Sequence, residues 1–504
     1  MKKIKVKTLY LIAIVVGGLI GLATKSTYAL FTSSTEIDNP ICMATNLTSE
    51  EEVVDTLDVV VASGEVKEVP ITINNTSGSP LNYMVFYNPT SSDIVIGANM
   101  KDTDSSNSFG TINNNETKKV YVQIKNNSTS SITITLGVVS NSISNDMNLV
   151  PPVKEGESTI VVGTNLAEYI SSLYTNATKT TATNNGVTYN YATSVGLMND
   201  RLGSPYKDID AGNIRYYGAT PDNYIYFNCS NYNNQTEDTC EKWRIIGVFD
   251  DKVKIMRNES IGNYSWDNKN TSTGAENDNG KNDWTTARIM KLLNPSTYYV
   301  TDSNNNGYGQ SLYWNSLSGT CFLGQSNATA SCDFTSTGLK NSTTRNMISE
   351  YNWSINGFST SQVYLDSMYN YERTSGGVYS GRVSSWKGKI ALVYPSDYAY
   401  ASYLAECKKQ LGNYNDGTCT GSNWMKSIVT NNGNIDGWLL TPSSSDSYHV
   451  WRVYSSGYVS FGNVYYGAFR EYAIIPTLYL DSNIKISIGE ESNGTISKPY
   501  KIVN

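Results

Sequence analysis

Cysteine and histidine are the side chains whose placement could do chemistry in this sequence, and their numbers narrow the options at once. Six of the seven cysteines fall into close pairs, Cys229 with Cys240, Cys321 with Cys332 and Cys407 with Cys419, each bracketing a polar Asn/Asp/Ser-rich stretch. Many connectivities are open to six cysteines. Pairing within each bracket is expected, because it closes surface loops; each staple would add about 3 kcal/mol. Metal ligation is the rival, but there is no Cys-x-x-Cys and His449 is the single histidine, so no zinc pattern is met. Cys42 is left over, a thiol for pairing between molecules.

Catalytic signals are thin. A general base would have to be His449 or a carboxylate. No Gly-x-Ser-x-Gly elbow, phosphate-binding loop or His-Glu-x-x-His occurs. Asp302-Ser303-Asn304-Asn305-Asn306-Gly307 matches the first half of a calcium loop, but its twelfth position is Tyr313 instead of the bidentate Glu. That segment reads as a surface turn, and Asp208 and Asp210 before Gly212 are weaker still. No metal, cofactor or catalytic residue is expected.

Binding is better supplied. Residues 443–472 read SSSDSYHVWRVYSSGYVSFGNVYYGAFREY, the Tyr/Ser/Gly-rich mix with Trp, Arg and Asn that antibody paratopes favour. The expected ligand contacts are Tyr448, His449, Trp451, Arg452, Tyr454, Tyr458, Phe461, Asn463, Tyr465, Tyr466 and Arg470. Val450, Val453, Val459 and Val464 would face inward, leaving about half of the aromatics exposed. The competing reading is a packed core whose aromatics alternate along strands. Nucleic acid is an unsuitable partner, since charged residues make up 16%, the net charge is −7 and no Lys/Arg cluster appears.

The elements that must carry these residues divide the chain. Residues 1–29 read as a secretion signal: Lys2, Lys3, Lys5 and Lys7, an apolar run over 9–23, and small residues at Thr27 and Ala29. Left uncut, the run at 9–23 would tether the chain to a membrane. Residues 30–163 lack tryptophan and read strand–turn–strand, with period-2 alternation over 66–74 and 118–125 and a further strand over 132–139. An antiparallel β-sandwich follows. Residues 164–190 hold a short helix over 165–175 and a Thr/Asn-rich linker over 176–187. Residues 191–504 contain all nine tryptophans. They read as mixed strands at 224–227, 243–249, 253–256 and 389–394 around a helix at 284–293, an α+β domain with long disulfide-closed loops.

Two resemblances add to this. Thr27-Tyr28-Ala29-Leu30-Phe31-Thr32 resembles the processing site of TasA/camelysin-type matrix proteins of Gram-positive bacteria, which implies a secreted sandwich able to join surface fibres. The C-terminal half resembles a Gram-positive surface-protein domain of unknown function related to C-type-lectin-like and formylglycine-generating-enzyme-like folds. The matching pieces are Trp243-Arg244-Ile245-Ile246-Gly247, Ser265-Trp266-Asp267, Asp283-Trp284, Leu292-Leu293-Asn294, Trp438-Leu439-Leu440-Thr441-Pro442 and Ile475-Pro476-Thr477-Leu478-Tyr479-Leu480. That resemblance implies a C-type-lectin-like domain whose ligand-facing segment lies between Thr441 and Pro476. Thr441-Pro442-Ser443 replaces the calcium-binding triplet of sugar-binding lectins, so calcium-mediated sugar binding is not expected. The expected protein is a secreted or cell-surface binder of a protein or glycan. A structural biofilm-matrix or envelope component capable of self-association comes next, and an extracellular hydrolase last.

Overall fold

The computed structural model describes residues 43–48, 53–88, 94–98, 108–142, 160–161, 164–207, 212–267, 280–301, 306–322, 328–465, 472–489 and 492–503. The export segment 1–29, Leu30 and Phe31, Cys42, Asp208, Asp210, the turn at 302–305, Tyr466 and Arg470 lie outside them. No described helix is long and apolar enough to cross a membrane. The chain divides into two compact units, 1–163 and 164–504.

Unit 1 is two sheets face to face. One has the order β1 (Met43–Leu47), β3 (Val66–Asn75), β7 (Thr117–Asn126), β5 (Ile94–Ala98); the other runs β2 (Val53–Val61), β8 (Ile132–Ser142), β4 (Leu81–Asn88), β6 (Phe109–Ile112), with β9 (Ile160–Val161) beside β4. Strand alternation aims every second side chain inward. Ile71 therefore lies opposite Val120 and Val69 opposite Val122, while on the facing sheet Val85 lies opposite Val138. All join one apolar core with Ile73, Ile124, Ile134 and Leu136. The sandwich is antiparallel except at one edge, where β1 runs parallel to β3. Gly137 sits opposite Phe86, and a Cβ there would fall 2.2 Å from the ring. Two turns repeat one device. Asn75 donates to the carbonyls of Ser79 and Ile112 and accepts from Ser77; Asn126 donates to Val61 and Ser130 and accepts from Ser128. The Asn side chain thereby satisfies carbonyls the turn leaves unpaired.

Unit 2 opens with β10 (Thr164–Asn165) and α1 (Leu166–Asn176), whose first amides are capped by the Asn165 side chain. The stretch expected to be a linker is instead a hairpin, β11 (Thr180–Asn184) and β12 (Val187–Ala192), turning at Asn185-Gly186 with φ of 47° and 79°. Asn-Gly is the residue pair such a turn demands, and it outweighs the missing apolar period. The hairpin edges a nine-stranded sheet. From it the order continues through β13 (Leu197–Asn199), β14 (Ile214–Tyr216), β16 (Glu241–Phe249), β17 (Lys252–Arg257), β27 (Thr477–Tyr479) and β22 (Ile390–Ala391), with β15 (Tyr224–Phe227) on β16. Asp250 and Asp251, both at positive φ, turn β16 into β17. The helix expected at 284–293 is confined to α2 (Arg288–Leu293), because Trp284 is drawn into packing with Trp266 and Trp386 at 5.4 and 5.9 Å. The strand expected at 389–394 pairs only at Ile390 and Ala391.

Behind this sheet lies a buried ionic cluster. Arg201 pairs with Asp366 at 3.0 Å, Arg215 with Asp397 at 2.8 Å and with Asp200, and Lys254 with Asp397. Asp397, in the first turn of α4 (Pro395–Tyr400), also accepts the Tyr394 amide; α3 (Leu365–Asn370) carries Asp366. Burial opposes the Asp397 charge, yet Lys254, Arg215 and Arg373 hold its pKa well below the usual carboxylate range. Burial draws Lys254 down to about 8 against the pull of Asp397. Three disulfides, Cys229–Cys240, Cys321–Cys332 and Cys407–Cys419, close loops within this unit.

Candidate ligand-binding face

The 443–472 segment folds as part of a four-stranded sheet. Its order is β25 (Val459–Asn463), β24 (His449–Val453), β23 (Asp436–Pro442), β26 (Tyr472–Ala473), with the last two parallel. Across β24 and β25, His449 faces Asn463 and Trp451 faces Phe461. These four share one side of the hairpin. Arg452 stands on the other, ion-paired with Asp436 at 3.1 Å and stacked over Tyr454 and Tyr472 at 4.1 and 4.6 Å.

The loop feeding β24 is held firmly. Asp446 accepts the amides of Tyr448 and His449 at 3.1 and 2.7 Å, the Ser443 hydroxyl at 2.9 Å, and meets His449 Nδ1 at 3.0 Å. Partial burial opposes the charge of Asp446, but those contacts with His449 and the amides of Tyr448 and His449 bring it down to about 2. From outside the loop, Asn282 Nδ2 donates to the carbonyls of Ser443, Asp446 and His449 at 2.9–3.1 Å. Arg382 donates to Asn282 and to the Ser447 carbonyl. The backbone beneath Tyr448 and His449 is thus set before any ligand arrives.

The expected contacts divide. Tyr448, His449, Tyr454, Tyr458, Phe461, Asn463 and Tyr465 are half-buried and keep part of their surface in water. Trp451 and Arg452 do not, and this corrects their assignment to a ligand-facing surface. Trp451 is fully buried, its ring 4.4 Å from Phe358 and 4.0 Å from Phe461, its indole N–H donated to the Phe358 carbonyl. A segment some ninety residues away in sequence covers it. Arg452 is 3% exposed; its guanidinium meets Asp436 and donates to the Tyr454 hydroxyl. Val450, Val453, Val459 and Val464 are buried. The tryptophans of the resemblance motifs (Trp243, Trp266, Trp284 and Trp438) are all core residues at 0–1% exposure, so those motifs build the scaffold.

A second concave site was missed by sequence reasoning. It is a cleft of about 50 Å³, part of it open to solvent, and its walls include Phe249, Asp250, Tyr351, Ser354, Arg373 and Tyr394. No spacing signal could have found it, because those residues come from separated strands and turns. Among the described residues no group of three His, Cys, Asp or Glu side chains could hold a metal ion.

No family model matches the chain, and no curated protein matches it. Among solved structures it is similar to a periplasmic inhibitor of g-type lysozyme from Aeromonas hydrophila. The identity is 8% and the TM-score 0.13, over 20% of this chain and 98% of that one. A likeness so distant carries no argument.

Proposed function

We propose that this chain is an exported binding protein, secreted or held at the cell surface, whose C-terminal unit offers the β24–β25 hairpin to a protein or glycan ligand. The observation that carries this is the pinned 443–449 loop, which presents Tyr448 and His449 beside Phe461 and Asn463 in a half-exposed row. Asp446 on Nδ1 of His449 leaves Nε2 as the ring atom free to hydrogen-bond a ligand. Rings such as Tyr448 and Phe461 stack on sugar faces or anchor protein loops. The three disulfides fit the oxidising side of a membrane, in keeping with the export signal read at 1–29. In this reading unit 2 is C-type-lectin-like in plan and has a binding role instead of a catalytic one.

Glycan and protein arrays probed with the wild type and with Tyr448→Ala/Phe461→Ala test it. At least tenfold weaker binding to the same features is expected in the variant. Equal binding places the ligand elsewhere. Assembly of the wild type into fibres with no array binding favours the matrix-component role.

A further inference from the structure

We propose that the cleft between the β16–β17 turn and β20 (Tyr351–Ser354) is a binding site for a small organic monocarboxylate, with Arg373 as its anion-binding group. The proposal is independent of the aromatic face at 443–465.

Arg201 Nε and Arg215 Nη2 are also buried without a hydrogen-bond partner, but Arg373 differs from the other cations of the cluster in its carboxylate contact. Arg201, Arg215 and Lys254 each meet a carboxylate oxygen at 3.0 Å or closer. The nearest carboxylate to Arg373 is Glu372, at 3.6 Å from Nη1, and Glu372 is already occupied. Its two oxygens accept the amide and the hydroxyl of Ser396. Nη1 of Arg373 is buried without a hydrogen-bond partner, and no acceptor among the described residues meets the other guanidinium donors. A guanidinium carries five donors in a rigid fork and stays charged, so a buried one left unanswered calls for an acceptor from outside. Glu372 answers its charge only in part, since burial pushes that carboxyl up to about 7.

The surroundings hold the fork in place. Arg373 lies 3.9 Å over the Tyr394 ring and 4.7 Å over that of Tyr369, stacking that fixes its plane while its edge borders the cleft. Residues Tyr371–Ser375 form one π-helical turn straight after α3, a distortion common at functional sites. It sets Glu372 inward, fully buried, and leaves Arg373 with 14% of its side chain exposed. Tyr351 and Tyr479 stack at 3.7 Å and Phe249 adds a further apolar wall, which suits an organic body. The Tyr351 hydroxyl donates to Asp250 at 3.2 Å on the exposed rim.

Charge selects the class. A carboxylate matches the guanidinium fork with two parallel hydrogen bonds. Phosphate would bring nearly a second negative charge to a cleft with one open cation and Asp250 on its rim, so it is disfavoured.

Phenylacetate is a suitable probe, titrated into the full chain by calorimetry with inorganic phosphate as competitor. Saturable binding at one site below about 10 mM is expected. At least tenfold loss is expected in Arg373→Lys, which keeps the charge and loses the fork, and a greater loss in Arg373→Met. Unchanged affinity in Tyr448→Ala/Phe461→Ala separates this site from the aromatic face. Should the Arg373 variants fail to fold, Asp250→Asn on the rim decides, with tighter phenylacetate binding expected as repulsion is removed. No saturable binding by the wild type, unchanged binding in Arg373→Lys or Asp250→Asn, or displacement by phosphate at equal concentration overturns the proposal.

Discussion

The two units solve the problem of a core in opposite ways. Between the sheets of unit 1 the described core side chains are aliphatic, methionine or tyrosine, and its buried polar residues are all uncharged. Unit 2 buries Asp200, Arg201, Arg215, Lys254, Asp366, Glu372 and Asp397 and adds three disulfides. A sandwich of long strands specifies itself through alternation, because a one-residue slip would turn every apolar side chain outward. Unit 2 is assembled from shorter elements, and its ion pairs reach across the chain: Arg215 to Asp397 spans 182 residues and Lys254 to Asp397 spans 143. Such pairs add little net stability against an apolar replacement, yet breaking one is costly. The contrast teaches that unit 1 tolerates changes of shape poorly, and unit 2 changes of charge.

Reducing the disulfides should split the units most. With about 3 kcal/mol for each loop, their joint loss approaches the whole stability of a typical domain. All nine tryptophans lie in unit 2, so reductant should shift the fluorescence transition in urea sharply while unit 1 keeps its far-ultraviolet β signal. Coincident loss of both signals would break the comparison.

Next come two substitutions read side by side. Asp397→Ala strands Lys254 in the core and takes from Arg215 one of its two carboxylates, and should destabilise unit 2 by roughly 3–5 kcal/mol. Leu136→Ala, which hollows the sandwich core, should destabilise unit 1 by roughly 2–5 kcal/mol and leave the tryptophan transition in place. A leucine variant that moves that transition would show that the two cores are coupled.

A pH series sharpens the contrast at smaller amplitude. Burial raises Glu372 from 4.5 to about 7, so the folded state holds its proton more tightly. Its stabilising contribution is full below pH 4.5 and is lost as pH rises through about 7. That loss is at most about 3 kcal/mol by linkage. Glu372→Gln should flatten the wild-type decline over that window in tryptophan-monitored unfolding, with no change in unit 1. An equal slope in both proteins would remove Glu372 from the account.

The smallest effect is expected at Asp446→Ala, about 1 kcal/mol from lost hydrogen bonds. Its better readout is faster amide hydrogen exchange at Tyr448 and His449, which lose their acceptor.

Much of unit 1 was legible because its information is local. The alternation over 66–74 and 118–125 marks β3 and β7, and the run over 132–139 marks β8; the parallel β1 edge left no such mark. In unit 2 the cysteine brackets foretold the loop closures, and the strands read at 243–249 and 253–256 became β16 and β17. Asn185-Gly186 carried a hairpin signal that the polar composition around it obscured. The candidate face was legible only in part. Alternation places Trp451 and Arg452 on opposite sides of β24 but cannot say which side is covered, and here Phe358 covers one and Asp436 with Tyr472 the other.

What the sequence determined by itself is whatever acts within about ten residues: strand period, turn chemistry, helix caps and the short loops that neighbouring cysteines close. Only the tertiary structure decided which charges meet, that Arg373 is left without an acceptor beside a cleft, and that Trp451 belongs to the core. The reason is physical. Burial and ion pairing depend on partners delivered from distant segments, and the identity of a residue carries no record of what will be packed against it.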